Sequence, residues 1–419
     1  MALTNWAGNY TFTARRVHRP STLEELAEIA SSAPQLRVLG SRHSFSALSD
    51  APAVVSLERM PVEVSVDREG RTVSLAGQIN YGQLADALDA HGMALANLAS
   101  LPHICVAGAV ATATHGSGDA NANLASAVAG LEIVTSGGEV LTAVRGDRDF
   151  NGMVVALGAL GVVTRLTLDI EPAYEVRQRV FEDLSWDALL EHFDQITSSG
   201  YSVSLFTVWT EPFNRVWIKT RVSESAEQIR DELFGARPAT VDQHVIAGHD
   251  PINCTPQLGS PGLWSERLPH FRMGFTPSSG EEIQSEYLVP RRHAVAALEA
   301  VRGLAEVIRP LLHVTEIRTV AADELWLSPQ YREDTVGIHF TWRRDQEAVE
   351  RTLVAVESAL SPFEFRPHWG KFFLAQADVL AARYPRLGDF SELMGRVDRR
   401  GAFTNEWLRT HLLPAAPDR

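Results

Sequence analysis

Five polar side chains in the second half of the chain could bind hydroxyl groups and move a proton. Glu316 and Arg318 are two apart in EIRTVAAD. His339 and Thr341 are two apart in HFTW, and Lys371 lies in HWGKFF. Residues two apart on a strand point to the same side, so an ordinary polar face is the simplest interpretation of each pair. Lys371 favours a functional role over a polar surface, because its neighbours are apolar and a solvated ammonium would be unusual there.

Two segments in the first half could hold an anionic or flat ligand. GSRHSFS, at 40–46, follows a predicted strand and offers hydroxyl groups, an arginine and consecutive backbone amides, which suit a pyrophosphate. VAGAVATATHGSG, at 106–118, is almost all small residues, so another group can approach its backbone closely. By itself the first segment is more typical of a turn, and His43 of a turn or capping residue. The absence of G-x-G-x-x-G and G-x-x-x-x-G-K-[ST] motifs disfavours a Rossmann site and a P-loop.

The elements that must position these residues follow from hydrophobic patterning and turn signals. Strands and hairpins are predicted at 36–39, 54–57, 62–66 with 72–75, 131–134 with 140–143, 162–170, 203–209, 216–220, 316–319 and 337–342. Helices are predicted from a Ser21 cap to about Ser31, over 81–91 and over 291–312. Residues 237–277 lack periodicity and are predicted to be irregular. The first 173 residues and the rest therefore read as two α+β regions, with a boundary near Pro172.

Composition limits the class of protein. The 419 residues are 45% hydrophobic, enough for a full core and two domains. A formal charge of -14 disfavours nucleic acid and anionic membranes as partners. Cys105 and Cys254 lie in no paired or metal-binding motif and no export signal is evident, so we expect no metal and a cytoplasmic location. Only two of the 38 basic residues are lysines, Lys219 and Lys371, which makes each of them unusual.

Five motifs in the same order resemble the alditol oxidases, a group within the vanillyl-alcohol-oxidase type of flavoenzyme. They are GSRHSFS (40–46), ASLPHICVAGAVATATHGSG (99–118), EIRTVAAD (316–323), HFTW (339–342) and HWGK (368–371). GRVDRRGAFTNEW, at 395–407, is similar to the closing motif of that family. The resemblance covers nearly the whole chain. It implies an α+β fold with a bipartite FAD-binding domain of the PCMH type, at 1–173 and 372–419, and an α+β substrate-binding cap domain at 174–371.

The resemblance also implies FAD, bound covalently through the imidazole of His43 to the 8α-methyl group of the flavin. A neutral imidazole nitrogen is a competent nucleophile for such a bond. Arg42 stands where the family carries glycine, and arginine disfavours positive φ. The cofactor-binding residues implied are Gly40, Ser41, Arg42, His43, Ser44, Ser100, Cys105, Gly108, Thr112, Ala113, Thr114, His115, Val162 and His368.

By the same resemblance, the polar cluster would line a polyol pocket over the flavin. A polyol needs such a cluster, because its row of hydroxyl groups requires matched donors and acceptors. Arg318 and Lys371 would contact the hydroxyl being oxidised, and Glu316 would orient them and bind a neighbouring hydroxyl. A lysine next to an arginine has its ammonium form disfavoured, so Lys371 could accept the alcohol proton, with His339 as the competing base. The substrate-binding residues implied are Ser100, Glu316, Arg318, Thr341 and Lys371.

The implied activity is oxidation of the terminal hydroxyl of an acyclic polyol, such as xylitol or sorbitol, to the aldose, with O2 reduced to hydrogen peroxide. We expect the protein to be a monomer. A sugar-lactone oxidase, or a dehydrogenase using another acceptor, is the alternative with the same fold. Small residues beside the flavin, such as Ala99 here, are associated in this family with oxygen access. A non-catalytic carbohydrate-binding protein is the alternative from another class, and it would purify without the yellow colour of flavin.

Overall fold

Four β-sheets organise the chain in the computed structural model, which describes residues 2–222, 232–274 and 281–413. Three sheets lie before residue 173, and all strands of the fourth lie between Glu175 and Pro367. Helices pack on both regions, so the predicted α+β class is confirmed. No helix within the described residues is both long and apolar enough to cross a bilayer.

The first region contains ten short strands and four helices among the described residues. The strands are β1 (Arg16–His18), β2 (Arg37–Leu39), β3 (Ala53–Ser56), β4 (Val64–Asp67), β5 (Thr72–Ala76), β6 (Met93–Ala94), β7 (Val128–Val134), β8 (Val140–Val144), β9 (Val162–Asp169) and β10 (Glu171–Pro172). The helices are α1 (Leu23–Ser32), α2 (Tyr81–Asp89), α3 (Val106–Ala111) and α4 (Phe150–Val154). The parallel sheet has the order β1-β3-β2, the antiparallel sheet the order β4-β5-β9-β7-β8, and β6 pairs with β10. Both predicted hairpins are confirmed as β4-β5 and β7-β8.

The start of α1 differs from the sequence prediction by one residue. Thr22, not Ser21, is the N-cap, and its hydroxyl accepts from the amide of Glu25 at 3.2 Å. The amide and hydroxyl of Ser21 instead donate to the Glu25 carboxylate. The predicted cap is therefore displaced by one residue, and Glu25 contacts both Thr22 and Ser21.

The second region is built on a nine-stranded antiparallel sheet. Its strands are β11 (Glu175–Leu184), β12 (Ser202–Thr207), β13 (Phe213–Arg221), β14 (Arg237–Pro238), β15 (Gly262–Leu263), β16 (Glu282–Pro290), β17 (Leu312–Val320), β18 (Thr335–Arg343) and β19 (Arg366–Pro367). They follow the order β14-β11-β13-β12-β17-β18-β16-β19, with β15 paired to β11. β12, β16, β17 and β18 are buried over almost their whole length, so polar residues on them are held inside the protein.

The helices of the second region and of the C-terminal segment are mostly short. They are α5 (Trp186–Glu191), α6 (Phe193–Thr197), α7 (Trp264–Arg267), α8 (Ala294–Arg302), α9 (Ala305–Ile308), α10 (Gln346–Leu360), α11 (Ala377–Arg383), α12 (Leu387–Val397) and α13 (Glu406–Leu412). The single helix predicted over 291–312 is wrong. The segment breaks into 3-10 turns at Arg291–His293 and Arg309–Leu311 around α8 and α9, because Gly303 ends α8 and Pro310 cannot continue α9.

The segment 237–277 is mostly irregular, as predicted, apart from β14, β15, α7 and a short 3-10 turn at Pro251–Asn253. Residues 275–277 of it lie outside the described residues. Trp264 at the start of α7 donates to Asp89 at the end of α2 at 2.7 Å, and Ser265 donates to the same carboxylate at 2.6 Å. These contacts attach the irregular segment to the first region.

The C-terminal segment returns to the first region. The amide of Asn405 donates to the carbonyl oxygens of Ala47, Leu48 and Asp50 at 2.9–3.1 Å. The guanidinium of Arg37, on β2, is 2% exposed and reaches the same segment, donating to the carbonyl oxygen of Phe403 at 2.6 Å. Arg37 also donates to the carbonyl oxygens of Leu48, Leu157 and Gly158, so one side chain binds four carbonyl groups in three separate stretches of backbone.

We therefore expect Arg37→Met to lower the free energy of unfolding by about 3 kcal/mol or more, because it leaves four buried carbonyl groups without their donor. Urea unfolding followed by tryptophan fluorescence would measure this loss. Arg16→Met, at an exposed position on β1, is the matched control and should change stability by less than about 0.5 kcal/mol. Equal stability of the two variants would mean that Arg37 does not hold these segments together.

Candidate active site

A cavity of about 900 Å³ is lined by residues of both regions and contains almost all the residues that the sequence singled out. Every predicted cofactor-binding residue lines it except Ala113 and Val162, which are fully buried. Their neighbours on both sides do line it, namely Thr112, Thr114, Gly161 and Val163. All the predicted catalytic and substrate-binding residues line the same cavity.

The loop after β2 is held in shape by contacts with two distant segments. The hydroxyl of Ser41 accepts from the amide of Cys105 at 3.0 Å, which joins the two predicted ligand-binding segments. Arg42 adopts a φ of 61°, the left-handed conformation that glycine would favour. Its carbonyl oxygen accepts from the amide of Trp6 at 2.8 Å, and its guanidinium donates to the carbonyl oxygen of Thr4 at 3.0 Å. Arginine is thus accommodated at this position because N-terminal residues bind it.

His43 lies at the cavity wall with its ring stacked on Trp6, with ring centroids 5.0 Å apart. Its Nδ1 is buried and has no hydrogen-bond partner within the described chain. Burial, and next the charge of Lys371, lower the pKa of His43 to about 4. His43 is therefore a neutral imidazole at pH 7, with one nitrogen left for a partner outside the protein chain.

The small-residue segment leaves room for a flat ligand beside His43. An added Cβ at Gly108, at the cavity wall, would meet only the Cβ of Cys105, 3.9 Å away, so a side chain there would take up cavity space. A Cβ at Gly40 would lie 3.3 Å from the same atom. These glycines, together with the unpartnered nitrogen of His43, fit a large ring system such as the isoalloxazine of FAD.

The polar cluster forms where β17 and β18 pair. Glu316 pairs with His339 in register, so both side chains point to the cavity face of the sheet. Arg318 and Thr341 lie two residues along on the same face, and Lys371 follows β19. The two pairs, which could have been an exposed polar face, are instead 6–7% exposed and line the cavity.

Glu286 on β16 organises this cluster, and the sequence analysis missed it. Its Oε1 accepts from Arg318 Nη2 at 2.7 Å and lies 3.1 Å from His115 Nε2, and its Oε2 lies 3.3 Å from His339 Nδ1. Burial alone would raise the pKa of Glu286, but Arg318 and then His115 hold it well below the usual value. His115, Glu286 and His368 present ligand atoms within 4.8 Å of one another, yet the Arg318 guanidinium already supplies the positive charge there.

Lys371 is partly buried at the cavity wall. Its ammonium donates to Oε1 of Gln284, which the sequence analysis also missed, and lies 5.3 Å from the centroid of the Phe45 ring. Burial lowers the pKa of Lys371 to about 8, against the opposing effect of Glu286. Lys371 is therefore mostly protonated at pH 7, and its neutral form, which can accept a proton, becomes the major form above a pH of about 8.

His339 is the second basic group at the cavity wall. Its Nδ1 donates to Glu286, so its Nε2 carries the lone pair and accepts from the hydroxyl of Thr341 at 3.2 Å. Burial lowers the pKa of His339, with Glu286 opposing. His339 is therefore also neutral at pH 7, and the geometry leaves both Lys371 and His339 as candidate bases.

Glu316 is buried and ionised at the other side of Arg318. Its Oε1 accepts from Nε2 of His270 at 2.8 Å and lies 3.6 Å from Nε of Arg318. Burial would raise the pKa of Glu316, but Arg318, followed by His270, lowers it far below the usual value. The backbone amide of His270 also donates to the carbonyl oxygen of Ser100 at 3.2 Å, which links Ser100 to the cluster. His270 itself lies in the segment predicted to be irregular, where no periodicity marked it.

Comparison with known families assigns both regions. Residues 14–143 match the family described as FAD binding domain, and residues 278–411 match that described as D-arabinono-1,4-lactone oxidase. The chain is similar over 98% of its length to a cholesterol oxidase from B. sterolicum, covering 96% of that chain with a TM-score of 0.79. At 14% sequence identity this likeness establishes the vanillyl-alcohol-oxidase type of fold and nothing more.

Curated relatives cover the whole chain. An alditol oxidase from Streptomyces sp. (strain IKD472 / FERM P-14339) is 50% identical over 413 residues, which are 97% of this chain and 98% of the relative. An L-gulono-1,4-lactone dehydrogenase from Mycobacterium tuberculosis is 27% identical over 98% of this chain and 99% of the relative. The lactone enzyme is thus much more distant. By fold, site and sequence, this chain belongs to the alditol oxidase family of FAD-binding oxidoreductases.

Proposed function

We propose that the protein oxidises the terminal hydroxyl of acyclic polyols, such as xylitol and sorbitol, to the aldose. The observation that carries this proposal is the convergence on one cavity of His43, with its unpartnered nitrogen, and the buried cluster of Glu316, Arg318, His339 and Lys371. An elongated, uncharged molecule rich in hydroxyl groups suits a cavity wall that offers both donors and acceptors. The alditol oxidase relative at 50% identity supports the same substrate class.

FAD bound in this cavity would accept a hydride from the substrate carbon and pass the electrons to O2, giving hydrogen peroxide. His43 would hold the cofactor covalently, since its neutral imidazole has a nitrogen without a partner among the described residues. The backbone around Gly40 and Gly108 would lie against it. We place the FAD-binding domain at 1–173 and 372–419 and the cap at 174–371. Residues 1, 223–231, 275–280 and 414–419 of these domains lie outside the described residues.

The side chains of the cluster would have different roles in oxidising the alcohol. Arg318 would stabilise the oxygen of the reacting hydroxyl as negative charge develops on it. Lys371, neutral above a pKa of about 8, would accept the proton of that hydroxyl. Glu316 would accept a hydrogen bond from a neighbouring hydroxyl, and Ser100 and Thr341 would bind the rest of the polyol chain.

A sugar lactone or a different electron acceptor is the second candidate. This candidate is supported by the match of residues 278–411 to the lactone oxidase family, but the lactone enzymes compared share only 22–29% identity with this chain. Ala99, which is buried at the cavity wall, leaves a small side chain beside the proposed flavin position. That favours O2 as the acceptor.

An anaerobic substrate panel tests the proposal. Xylitol and sorbitol should bleach the yellow flavin absorbance, and reintroducing O2 should restore it with one peroxide formed per flavin. L-gulono-1,4-lactone and D-arabinono-1,4-lactone should bleach it far more slowly at equal concentration. Preferential bleaching by a lactone, or reoxidation by a dye but not by O2, would favour the second candidate. A colourless protein would contradict both.

A further inference from the structure

A buried lysine lies behind the polar cluster and takes no part in the function proposed above. Lys219 on β13 is 1% exposed and does not line the cavity, although it lies on the same face of the sheet as Arg318. The strand pairing shows this, since Lys219 pairs with Ser202 and Arg318 with Ser204, two residues along β12. Lys219 and Lys371 are the only lysines in the sequence, and both lie at this cluster.

The imidazole of His270 lies between Lys219 and Glu316 and contacts both. Its ammonium donates to the carbonyl oxygen of Leu268 and lies 3.0 Å from Nδ1 of His270. The opposite nitrogen of that ring, Nε2, lies 2.8 Å from Oε1 of Glu316. His270 and Glu316 both line the cavity, so the order from the interior to the substrate space is Lys219, His270, Glu316.

These contacts allow one arrangement of protons. A protonated Lys219 has no lone pair, so Nδ1 of His270 must accept, and the ring proton must lie on Nε2. Nε2 can then donate to the Glu316 carboxylate. The opposite tautomer would direct a lone pair at the carboxylate and leave the ammonium without this acceptor. When Lys219 is protonated, the lysine and the acceptor-only Glu316 carboxylate therefore favour the same tautomer of His270, with the proton on Nε2.

The electrostatic surroundings agree with this order. Burial, and next the charge of Lys219, lower the pKa of His270 to about 4, which keeps the ring neutral. Burial lowers the pKa of Lys219 to about 7, with Glu316 opposing. A buried ammonium without a direct carboxylate partner is costly, and an apolar side chain of similar length would fill the space without that cost. Packing alone therefore does not account for a lysine here.

We propose that Lys219 and His270 are positioning residues: Lys219, together with Glu316, holds His270 in the tautomer protonated on Nε2, and His270 orients Glu316 for a hydroxyl group of the substrate. This inference rests on the proposed role of Glu316 in binding the polyol. Among the described residues, the polar contacts of the carboxylate are made to Oε1, one by His270 and the other by Arg318. Oε2 is thus left to accept from the hydroxyl next to the one being oxidised.

Three variants in the flavin-loaded enzyme separate positioning from packing. Lys219→Met removes the ammonium at nearly constant volume. His270→Gln keeps a donor and an acceptor on an open-chain side chain of similar length. His270→Phe keeps a ring for the edge-to-face contacts with Phe206 and Trp217 but loses the donor and the acceptor. Val180→Ala, in the buried cluster around those two aromatic rings, is the control for general loosening.

Anaerobic stopped-flow reduction by xylitol should give an apparent Kd about 10-fold higher in Lys219→Met and His270→Phe, with a smaller effect on the limiting rate. His270→Gln should stay within about threefold of wild type, and Val180→Ala should bind xylitol normally. If His270→Phe binds as wild type while His270→Gln does not, the residue serves packing and the inference is wrong.

A second readout does not depend on turnover. Long-range ¹H–¹⁵N spectra of histidine-labelled holoenzyme, with His270 assigned by its loss in His270→Gln, report which ring nitrogen carries the proton. We expect the Nε2-protonated tautomer in wild type and a mixture in Lys219→Met. Any other wild-type tautomer, or an unchanged one in Lys219→Met, would overturn the inference. If polyols do not reduce the wild-type flavin, the proposed function fails, whereas the spectra still decide whether Lys219 controls His270.

Discussion

Lys371→Ala and Arg318→Ala should each lower the limiting rate of flavin reduction by xylitol about 100-fold or more. A loss of that size is typical when a proton acceptor or a preorganised charge at the reacting oxygen is removed. Lys371 has a pKa lowered to about 8 by burial, so it is available as a base near neutral pH. Arg318 is held at the cavity wall by Glu286 at 2.7 Å and by Glu316, which keeps its guanidinium in a fixed position.

The measurement is anaerobic bleaching of the flavin in a stopped-flow instrument, which separates hydride transfer from reoxidation by O2. Because Arg318→Ala leaves two buried carboxylates without their partner, Lys371→Met is the variant that best preserves the fold. Arg309→Ala, at an exposed position, is the control and should bleach at the wild-type rate. Near wild-type rates in both Lys371 variants and in Arg318→Ala would mean that neither residue acts on the reacting hydroxyl.

The pH dependence of the same reaction tells the two candidate bases apart. Below a pH of about 8 Lys371 is mostly protonated and cannot accept a proton, so the limiting rate should rise with pH and level off above that value. Burial lowers the pKa of His339, so a reaction that used His339 as the base would already be independent of pH near 7. A flat profile from pH 7 upward would therefore assign the proton to His339.

His43→Ala should convert the flavin from a covalent to a dissociable cofactor. In wild type, acid precipitation should leave the yellow colour in the pellet, whereas His43→Ala should release FAD into the supernatant or purify without it. The reason is that no other residue of the loop 40–46 combines a neutral ring nitrogen with a place at the cavity wall and no partner within the described chain.

His103 provides the matched control for that experiment. It lines the same cavity and also has a buried Nδ1 without a partner among the described residues, while its Nε2 contacts the carbonyl oxygen of Met273 at 3.1 Å. His103→Ala should keep its colour in the acid pellet. A colourless wild-type pellet would disprove covalent attachment, and loss of colour in His103→Ala alone would move the attachment to that residue.

Local patterns predicted eleven of the strands that the structure describes, because strands and hairpins show alternating polarity and turn residues, but only α1 and α2 among its helices. They failed at 291–312, where an apolar helical pattern outweighed the effects of Gly303 and Pro310. Motif resemblance brought together the cavity residues, which no local pattern could do. It did not identify Glu286, although a carboxylate followed directly by the apolar segment YLVP was a usable signal. No sequence signal marked His270, because its role depends on contacts with Lys219 and Glu316 that form only in the folded protein.

The contacts of Arg37 and Asn405 also constrain when the protein can fold during synthesis. Arg37 binds the carbonyl oxygen of Phe403, 366 positions further along the chain, and Asn405 binds backbone 355 to 358 positions earlier. Contacts across such separations form late, because the intervening chain must first be made and closed into a loop. The N-terminal region therefore emerges from the ribosome first but is completed last. Stable capture of the flavin must then await release of the nearly complete chain.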